Sequence, residues 1–320
     1  MKSSMKAITK HHYGGPEVLG LEEVEKPRVK EKHLLVKVKA NSVNPADWHT
    51  LRGEPYFARL SFGLFKPKDK ILGADFAGIV EEVGQGVSQF KVGDRVFGEY
   101  LDGGSFAEYV CVPESVCGLM PKDSSEIEMA AVPIAGLTAL QAIITHGKLE
   151  SGENVLINGS SGGVGHFAVQ IAKAYGAHVT GVCSSRNVDF VKSLGADQVI
   201  AYDQESIHEH NGNYDLVLDT HGNLNFADYK RMGKRGVLIG FTGMGQMMGV
   251  LLKKFLKNFP IALFTASANT DDLETLARLI HEGKVKPHIE KTYPFTQFPE
   301  AIAYIENMRT RGKVTVTWEI

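Results

Sequence analysis

The sequence predicts an α/β protein that combines a small β domain with a central parallel sheet. Over roughly the first 120 residues, short apolar segments alternate with turns rich in glycine and proline, a pattern typical of a small barrel or sandwich. From residue 127 to about 267, apolar segments alternate with stretches of helical periodicity, which indicates repeated β-α-β units. The strands of this second part are runs of Val, Ile and Leu, as expected for strands covered on both faces.

The chain of 320 residues has the length of about two domains. We predict a β domain over residues 1–124 and a nucleotide-binding domain over residues 125–267. In residues 268–320 we expect a helix that ends before Gly283, a strand, a second helix and a last strand. This tail is predicted to return to the first domain, so that the nucleotide-binding domain is an insertion.

Composition restricts the class of protein. With 35 Lys and Arg against 37 Asp and Glu, the net charge is −2, which disfavours a nucleic-acid-binding protein. The three cysteines are too few for a disulfide framework and fit a reducing compartment. The N-terminal residues lack the apolar segment of a secretory signal, and no apolar segment reaches the ~20 residues of a spanning helix. We therefore expect a cytoplasmic protein without a membrane span.

A glycine-rich turn separates a predicted strand from a predicted helix. Gly159, Gly162 and Gly165 recur every three residues, a variant of the dinucleotide-binding fingerprint. Such glycines allow a tight turn, the approach of backbone N–H groups to a pyrophosphate, and close packing of the helix on the strand. We predict that the cofactor contacts this turn; its contact residues are Ser160, Ser161, Gly162, Gly163 and Val164. The alternative is an ordinary strand-turn-helix corner.

The end of the next strand predicts which cofactor binds. An acid at this place would bind the ribose 2′-hydroxyl of NAD, whereas an arginine suits the 2′-phosphate of NADP. The strand ends in Ser184, Ser185 and Arg186, and no acid follows before Asp189. Two hydroxyls and a forked cation favour NADP(H). Alternatively, Arg186 is only a solvated residue at the start of a helix.

Seven short motifs in a fixed order extend this interpretation to nearly the whole chain. They are residues 14–19 (GGPEVL), 44–47 (NPAD), 73–78 (GADFAG), 92–96 (VGDRV), 103–109 (GGSFAEY), 135–139 (AGLTA) and 161–165 (SGGVG). Together they resemble the medium-chain dehydrogenase/reductase superfamily, which is alcohol dehydrogenase-like, and within it the zinc-independent, zeta-crystallin-like quinone oxidoreductases. The resemblance implies a GroES-like β-barrel catalytic domain built from both termini and a central Rossmann domain, a doubly wound parallel sheet. It also implies a homodimer.

The resemblance also makes the zinc site testable by residue type. Zinc-dependent members carry a Cys at the position of Asn44 and a His-Glu pair at Ala74 and Asp75. Catalytic zinc needs three protein ligands, and of these positions only Asp75 could ligate it. The four-cysteine structural lobe is also missing, so the resemblance implies no metal.

The family pattern implies roles for several further residues. Asn44 and Thr138 are expected at the nicotinamide end of the cofactor, and Tyr56 is expected to donate a proton or hydrogen bond to a substrate oxygen. The alternative for Tyr56 is packing against the wall of the cleft. Other residues are expected beside the cofactor, each at the end of a parallel strand: Tyr202, Asp219 and Phe241.

The function implied is a reductase that transfers a hydride from NADPH to a quinone or an α,β-unsaturated carbonyl compound. Simple alcohols are poor candidates, because their oxidation in this superfamily uses zinc as a Lewis acid. The main alternative is a non-catalytic NADPH-binding protein with a redox-sensing or structural role. A zinc alcohol dehydrogenase is the third possibility.

Overall fold

The computed structural model describes residues 4–56, 59–101, 104–240 and 244–318. The chain forms two compact units. Their bounds are Met1–Ile134, Ala268–His281 and Pro287–Ile320 for the first, and Ala135–Ser267 and Glu282–Lys286 for the second. No helix among the described residues has the length and apolar character needed to cross a membrane.

The first part of unit one consists mainly of short strands. Its strands are β1 (Ser4–Thr9), β2 (Gly20–Glu25), β3 (His33–Val43), β4 (Asp75–Val83), β5 (Arg95–Glu99), β6 (Tyr109–Pro113) and β7 (Cys117–Leu119). Among the described residues, the α-helices of this part are α1 (Pro45–Arg52), α2 (Arg59–Phe62) and α3 (Glu126–Ala130). In β3, Val36 and Val38 are buried while Lys37 between them is exposed, the alternation of a strand with one face in the core.

Helix α4 (Pro133–Leu140) and a π-helical turn (Gln141–His146) lead into the parallel sheet of unit two. Its strands are β8 (Asn154–Asn158), β9 (His178–Cys183), β10 (Gln198–Ala201), β11 (Tyr214–Asp219), β12 (Gly233–Leu238) and β13 (Ile261–Leu263). Its helices are α5 (Gly163–Ala174), α6 (Val188–Ser193), α7 (Phe226–Met232) and α8 (Met244–Lys257). The strand order is β10-β9-β8-β11-β12-β13, and every pair is parallel. This is the doubly wound order, in which chain direction across the sheet switches between β8 and β11.

The C-terminal part of the chain adds α9 (Thr270–His281), β14 (Ile289–Pro294), α10 (Phe298–Glu306) and β15 (Lys313–Thr317). Strand β15 pairs antiparallel with the second half of β3, so the last strand lies inside the seven-stranded sheet of unit one. Helix α10 covers the core of that unit, where the rings of Phe106 and Phe298 lie 4.3 Å apart.

The predicted barrel of unit one is open over the described residues. The sheet follows the order β14-β15-β3-β4-β5-β7, and its two end strands do not pair with each other. The reason lies in β3, which is 11 residues long and has two partners along the same edge. Its first half pairs with β6 and its second half with β15, so the sheet branches instead of closing.

Candidate active site

A glycine-rich turn joins β8 to α5. Gly159 has a φ of +83°, a left-handed conformation that glycine adopts without strain. A Cβ atom on Gly165 would lie 2.1 Å from the carbonyl oxygen of Gly159, so only glycine lets α5 approach the turn this closely. A Cβ on Gly162, the N-terminal cap of α5, would meet the same oxygen at an ordinary 3.4 Å. The turn therefore leaves the N-terminus of α5 open, a type of site that binds phosphate groups.

Ser160 holds this turn against the neighbouring strand. Its hydroxyl is buried and donates to the carbonyl oxygen of Val182 in β9 at 2.9 Å. The backbone N–H groups of Gly159 and Ser160 donate to the same oxygen at 3.1 and 3.0 Å. The Ser160 hydroxyl is thus used within the protein. The other residues predicted to contact a pyrophosphate are partly exposed: Ser161, Gly162, Gly163 and Val164.

The end of β9 carries the residues predicted to select the cofactor. Ser184 is largely buried, whereas Ser185 and Arg186 are exposed. Buried Asn187 donates from its side-chain amide to the Ser161 hydroxyl at 3.1 Å, which connects this segment to the glycine-rich turn. The structure therefore brings the two predicted parts of the cofactor site together at the carboxyl ends of β8 and β9.

The remaining predicted cofactor residues of unit two differ in their surroundings. Tyr202 follows β10 and its side chain is 55% exposed. Asp219 at the end of β11 is fully buried and accepts hydrogen bonds from the Asn158 amide at 2.8 Å and from backbone N–H groups of the following loop. Burial raises the pKa of the Asp219 carboxyl. Asp219 therefore shapes the loop at this edge of the sheet, while Phe241 lies outside the described residues.

A buried polar cluster lies in unit one where β3, β4 and β15 meet. We call Asn44, Asp75 and Lys313 the lysine cluster; their exposed fractions are 2%, 0% and 3%. One oxygen of Asp75 accepts from the Asn44 side-chain amide at 2.8 Å and lies 3.5 Å from the Lys313 ammonium. The other accepts from the backbone N–H of Ile134 at 2.9 Å.

These contacts fix the orientation of the Asn44 side chain. Its carbonyl oxygen accepts a hydrogen bond from the Lys313 ammonium, while its amide group donates to Asp75. Its backbone N–H donates to Asp47, which caps the start of α1 at 2.7 Å. Asn44 is the residue predicted at the nicotinamide end. Its side chain thus bonds to the Lys313 amine through its oxygen and to the Asp75 carboxylate through its nitrogen.

Two more carboxyl groups lie buried in the same unit. Burial and, to a lesser extent, the charge of Asp75 raise the pKa of Asp47 to about 7, although the hydrogen bond from the Asn44 backbone N–H opposes this. Burial and the nearby Asp75 also raise the pKa of Glu99 to about 8. Burial lowers the pKa of Lys313, and the surrounding carboxyl groups partly offset this lowering. The unit thus buries one lysine among three carboxyl groups, and two of these, Asp47 and Glu99, hold their protons to higher pH than usual.

The two other residues predicted to act on the substrate lie in different units. Tyr56 belongs to unit one, where its side chain is 69% exposed and its ring faces the Arg59 guanidinium at 4.8 Å. Thr138 belongs to unit two, where it is 9% exposed on α4. The exposed phenol of Tyr56 is accessible to a ligand, and it does not belong to the packed core of its unit.

Sequence reasoning missed three residues: Lys313 and Glu99 in unit one, and Asp203 after β10. Lys313 and Glu99 stand at the ends of strands, where charged residues are usually solvated, so neither position signals burial. Asp203 lies 18 residues beyond Ser185 in the chain but accepts hydrogen bonds from it. Only the pairing of β9 with β10 brings these two residues together.

The chain resembles known proteins over its whole length. Family models described as an alcohol dehydrogenase GroES-like domain and a zinc-binding dehydrogenase match residues 30–122 and 194–316. The chain is 35% identical to the chloroplast envelope quinone oxidoreductase homolog of Arabidopsis thaliana, with 98% of each chain covered. It is 33% identical to the chloroplastic NADPH-dependent alkenal/one oxidoreductase of the same plant, covering 98% of this chain and 79% of the relative. A solved structure of the quinone oxidoreductase from Coxiella burnetii superposes with a TM-score of 0.88, at 30% identity over 99% of this chain and 100% of the other.

The doubly wound sheet, its glycine-rich turn and these relatives define an oxidoreductase that uses a nicotinamide cofactor. The chain belongs to the quinone oxidoreductases of the medium-chain dehydrogenase/reductase superfamily. The family resemblance, the GroES-like domain with a Rossmann domain, and the enzyme class predicted from the sequence are thereby confirmed.

The description of one family model implies zinc, but the residues of this chain do not fit that metal. No group of three or more His, Cys, Asp or Glu side chains among the described residues could hold a metal ion. At the positions that correspond to zinc ligands, Asn44 offers an amide that is already bonded, and Asp75 faces the Lys313 ammonium. A cation at this point would be repelled by that ammonium, so we derive no step through zinc.

Proposed function

We propose that the protein transfers a hydride from NADPH to a quinone or an α,β-unsaturated carbonyl compound, without zinc. The observation that carries the choice of NADPH is the segment of Ser184, Ser185 and Arg186 at the end of β9. Hydroxyl groups and an exposed guanidinium match a 2′-phosphate, which carries more negative charge than the 2′-hydroxyl of NADH. The names of the relatives support both acceptor classes, since one is a quinone oxidoreductase homolog and another an alkenal/one oxidoreductase.

The chain's own residues have distinct proposed tasks in this reaction. When bound, the cofactor supplies a hydride, and the acceptor gains the hydride and a proton. Asn44 is the proposed contact of the nicotinamide carboxamide in unit one, where Lys313 and Asp75 hold its side chain in one orientation. The Thr138 hydroxyl is the proposed contact of the cofactor in unit two. The exposed Tyr56 phenol donates a hydrogen bond or a proton to the acceptor oxygen. An acceptor that is already electrophilic needs only this orientation and a proton.

The first experiment is the initial rate of NADPH oxidation, followed by absorbance, with an aromatic quinone and separately with an α,β-unsaturated ketone. We expect acceptor-dependent oxidation with at least one of the two. Tight NADPH binding without oxidation by either acceptor would contradict the proposal.

Tyr56→Phe separates the proposed donor from a packing residue. Loss of the phenol is expected to lower kcat by about 10²-fold while the Kd for NADPH stays unchanged. Tyr214→Phe, which removes a phenol on β11 of unit two, serves as the control. An unchanged kcat for Tyr56→Phe would show that Tyr56 takes no part in proton transfer.

Two further expectations from the sequence stay predictions: a homodimer and a cytoplasmic location. The edge strand β13 (Ile261–Leu263) would supply the dimer contact, since one side of it has no partner strand within the described chain. Size-exclusion chromatography with light scattering tests the dimer, and a mass of 35.0 kDa in solution would exclude it.

A further inference from the structure

The chain places one of its own carboxylates at the end of β9. Asp203, which follows β10, accepts a hydrogen bond from the backbone N–H of Ser185 at 2.8 Å and another from the Ser185 hydroxyl at 2.7 Å. These donors begin a short 3-10 turn, Ser185–Asn187, that also contains Arg186. The bonds from Ser185 hold the pKa of Asp203 below its usual value, so the group is an anion at neutral pH.

The donors that Asp203 occupies are those of an anion-binding site. A backbone N–H and a hydroxyl, with an arginine as the next residue in the chain, are donors that suit a phosphate. Asp203 also lines a surface cavity of about 310 Å³, together with residues that include Tyr202 and Asn223. A carboxylate of the chain therefore already uses two of these donors, and the same carboxylate borders space at the surface.

A carboxylate at this point acts differently on the two nicotinamide cofactors. The 2′-phosphate of NADPH is an anion and is repelled by Asp203, with which it also competes for Ser185. The 2′-hydroxyl of NADH is neutral and can donate a hydrogen bond to a carboxylate. Arg186 attracts the phosphate, so the two side chains have opposite effects on the preference for NADPH.

We propose that Asp203 is a specificity-determining residue that weakens NADPH binding, supports NADH binding and thereby lets this enzyme use both cofactors. The inference rests on the proposed function in one respect, because it assumes that the adenosine end of the cofactor binds at the end of β9. It is independent of the acceptor and of the hydride-transfer step.

The test compares the Kd values of NADPH and NADH for Asp203→Asn, measured by cofactor fluorescence in the absence of any acceptor. The substitution preserves shape and removes the charge. We expect NADPH to bind about tenfold more tightly at low ionic strength, and NADH to bind equally or more weakly. The gain for NADPH is expected to shrink at high salt, since exposed charges are screened.

Asp197→Asn is the matched control. Asp197 makes contacts of the same kind, accepting from the backbone N–H of Val179 at 2.7 Å and from Lys173 at 2.8 Å. It lies near the opposite end of β9, and the substitution changes the net charge by the same amount. We expect both Kd values to stay unchanged in this variant. A second variant, Asp203→Ser, repeats the removal of charge with a different side chain.

The outcomes distinguish the inference from the proposed function. A Kd ratio for the two cofactors that does not change in Asp203→Asn or Asp203→Ser overturns the role of Asp203, even if the enzyme reduces a quinone. A changed ratio without any acceptor-dependent oxidation supports Asp203 and contradicts the proposed reaction. Failure of the unsubstituted protein and its variants to bind either cofactor contradicts both.

Discussion

Glu99 is a carboxyl group in an unfavourable place. It is 6% exposed at the end of β5, opposite Asp75 in the β4–β5 ladder, and its Oε2 atom has no hydrogen-bond partner within the described residues. The pKa of about 8 means that the folded protein keeps this proton up to slightly alkaline pH. A buried charge without a partner is costly, so the neutral form is the one that the fold accommodates.

The raised pKa makes stability depend on pH. Below pH 4.5, the ordinary pKa of Glu, the group is protonated in both states. Between this pH and about 8 only the unfolded state releases the proton, so stability is lost as the pH rises. Gln cannot titrate, so Glu99→Gln removes this loss. The change in the free energy of unfolding caused by Glu99→Gln is therefore expected to be more favourable at pH 8 than at pH 5, by about 2–4 kcal/mol. Urea unfolding at both pH values measures this difference.

The control for Glu99→Gln is Glu23→Gln, the same substitution at an exposed residue of β2. It should change the free energy of unfolding by less than about 0.5 kcal/mol at either pH. Asp47, with a pKa of about 7, contributes the same sign of pH dependence and keeps part of the slope in the Glu99 variant. If the free energy of unfolding falls with pH equally steeply in the wild type and in Glu99→Gln, the raised pKa of Glu99 is contradicted.

Arg186 is the residue that should recognise the 2′-phosphate. Arg186→Ala is expected to weaken NADPH binding about tenfold, or ~1.4 kcal/mol, with a much smaller effect on NADH. Fluorescence titration with both cofactors measures the two Kd values, and Lys192→Ala on α6, also exposed, is the control for loss of a cation. An equal loss for NADPH and NADH would remove the phosphate role of Arg186.

At the scale of elements, the lysine cluster joins three strands of unit one. Asn44 follows β3, Asp75 begins β4 and Lys313 begins β15, although 238 residues separate the last two. The cluster thus joins the C-terminal strand to the N-terminal part of the same sheet. A buried ion pair of this kind is destabilising to break, because the remaining charge lies in the core without its partner.

A double-mutant cycle measures the pairing of these strands. Lys313→Met and Asp75→Asn are each expected to lower the free energy of unfolding by about 3–5 kcal/mol, and the double variant by clearly less than their sum. The coupling arises because each single variant leaves one buried charge unpaired. Lys37→Met on exposed β3 surface is the control, with an expected change below about 0.5 kcal/mol. Additive effects of the two substitutions would show that the ion pair contributes no coupling.

The packing of α5 on its strand gives a second prediction at this scale. In Gly165→Ala, the added Cβ atom at its ideal position would lie 2.1 Å from the carbonyl oxygen of Gly159. The backbone must then shift, and we expect a loss of about 2–4 kcal/mol in the free energy of unfolding. Gly162→Ala in the same turn makes only an ordinary contact at 3.4 Å and should cost less than about 1 kcal/mol. Equal losses for the two variants would contradict this account.

At the scale of the whole molecule, we expect neither activity nor stability to depend on bound zinc. The donor set of the lysine cluster does not fit zinc, because an ammonium lies 3.5 Å from the carboxylate that would ligate it. Dialysis against a strong chelator is therefore expected to leave both the rate of acceptor reduction and the midpoint of thermal unfolding unchanged. Loss of either quantity, restored by added zinc, would contradict the proposal of a zinc-independent reaction.

The sequence by itself determined the parallel sheet, the glycine-rich turn and the family. Runs such as Val155, Leu156 and Ile157 are apolar without alternation, and the glycines at 159 and 165 meet steric demands that no other residue satisfies. These signals are local, because each depends on residues a few positions apart. The predicted helix after the turn accordingly corresponds to α5 (Gly163–Ala174).

Only the tertiary structure decided which charged residues meet. Lys313 is an ordinary strand-end lysine in the sequence, and its burial follows from the pairing of β15 with β3. Asp203 is one acid among several until β10 pairs with β9 and brings it to Ser185. The branching of the β3 edge, which leaves the barrel open, likewise depends on partners from both ends of the chain. Contacts between residues far apart in the chain arise from strand pairing, and no local pattern encodes them.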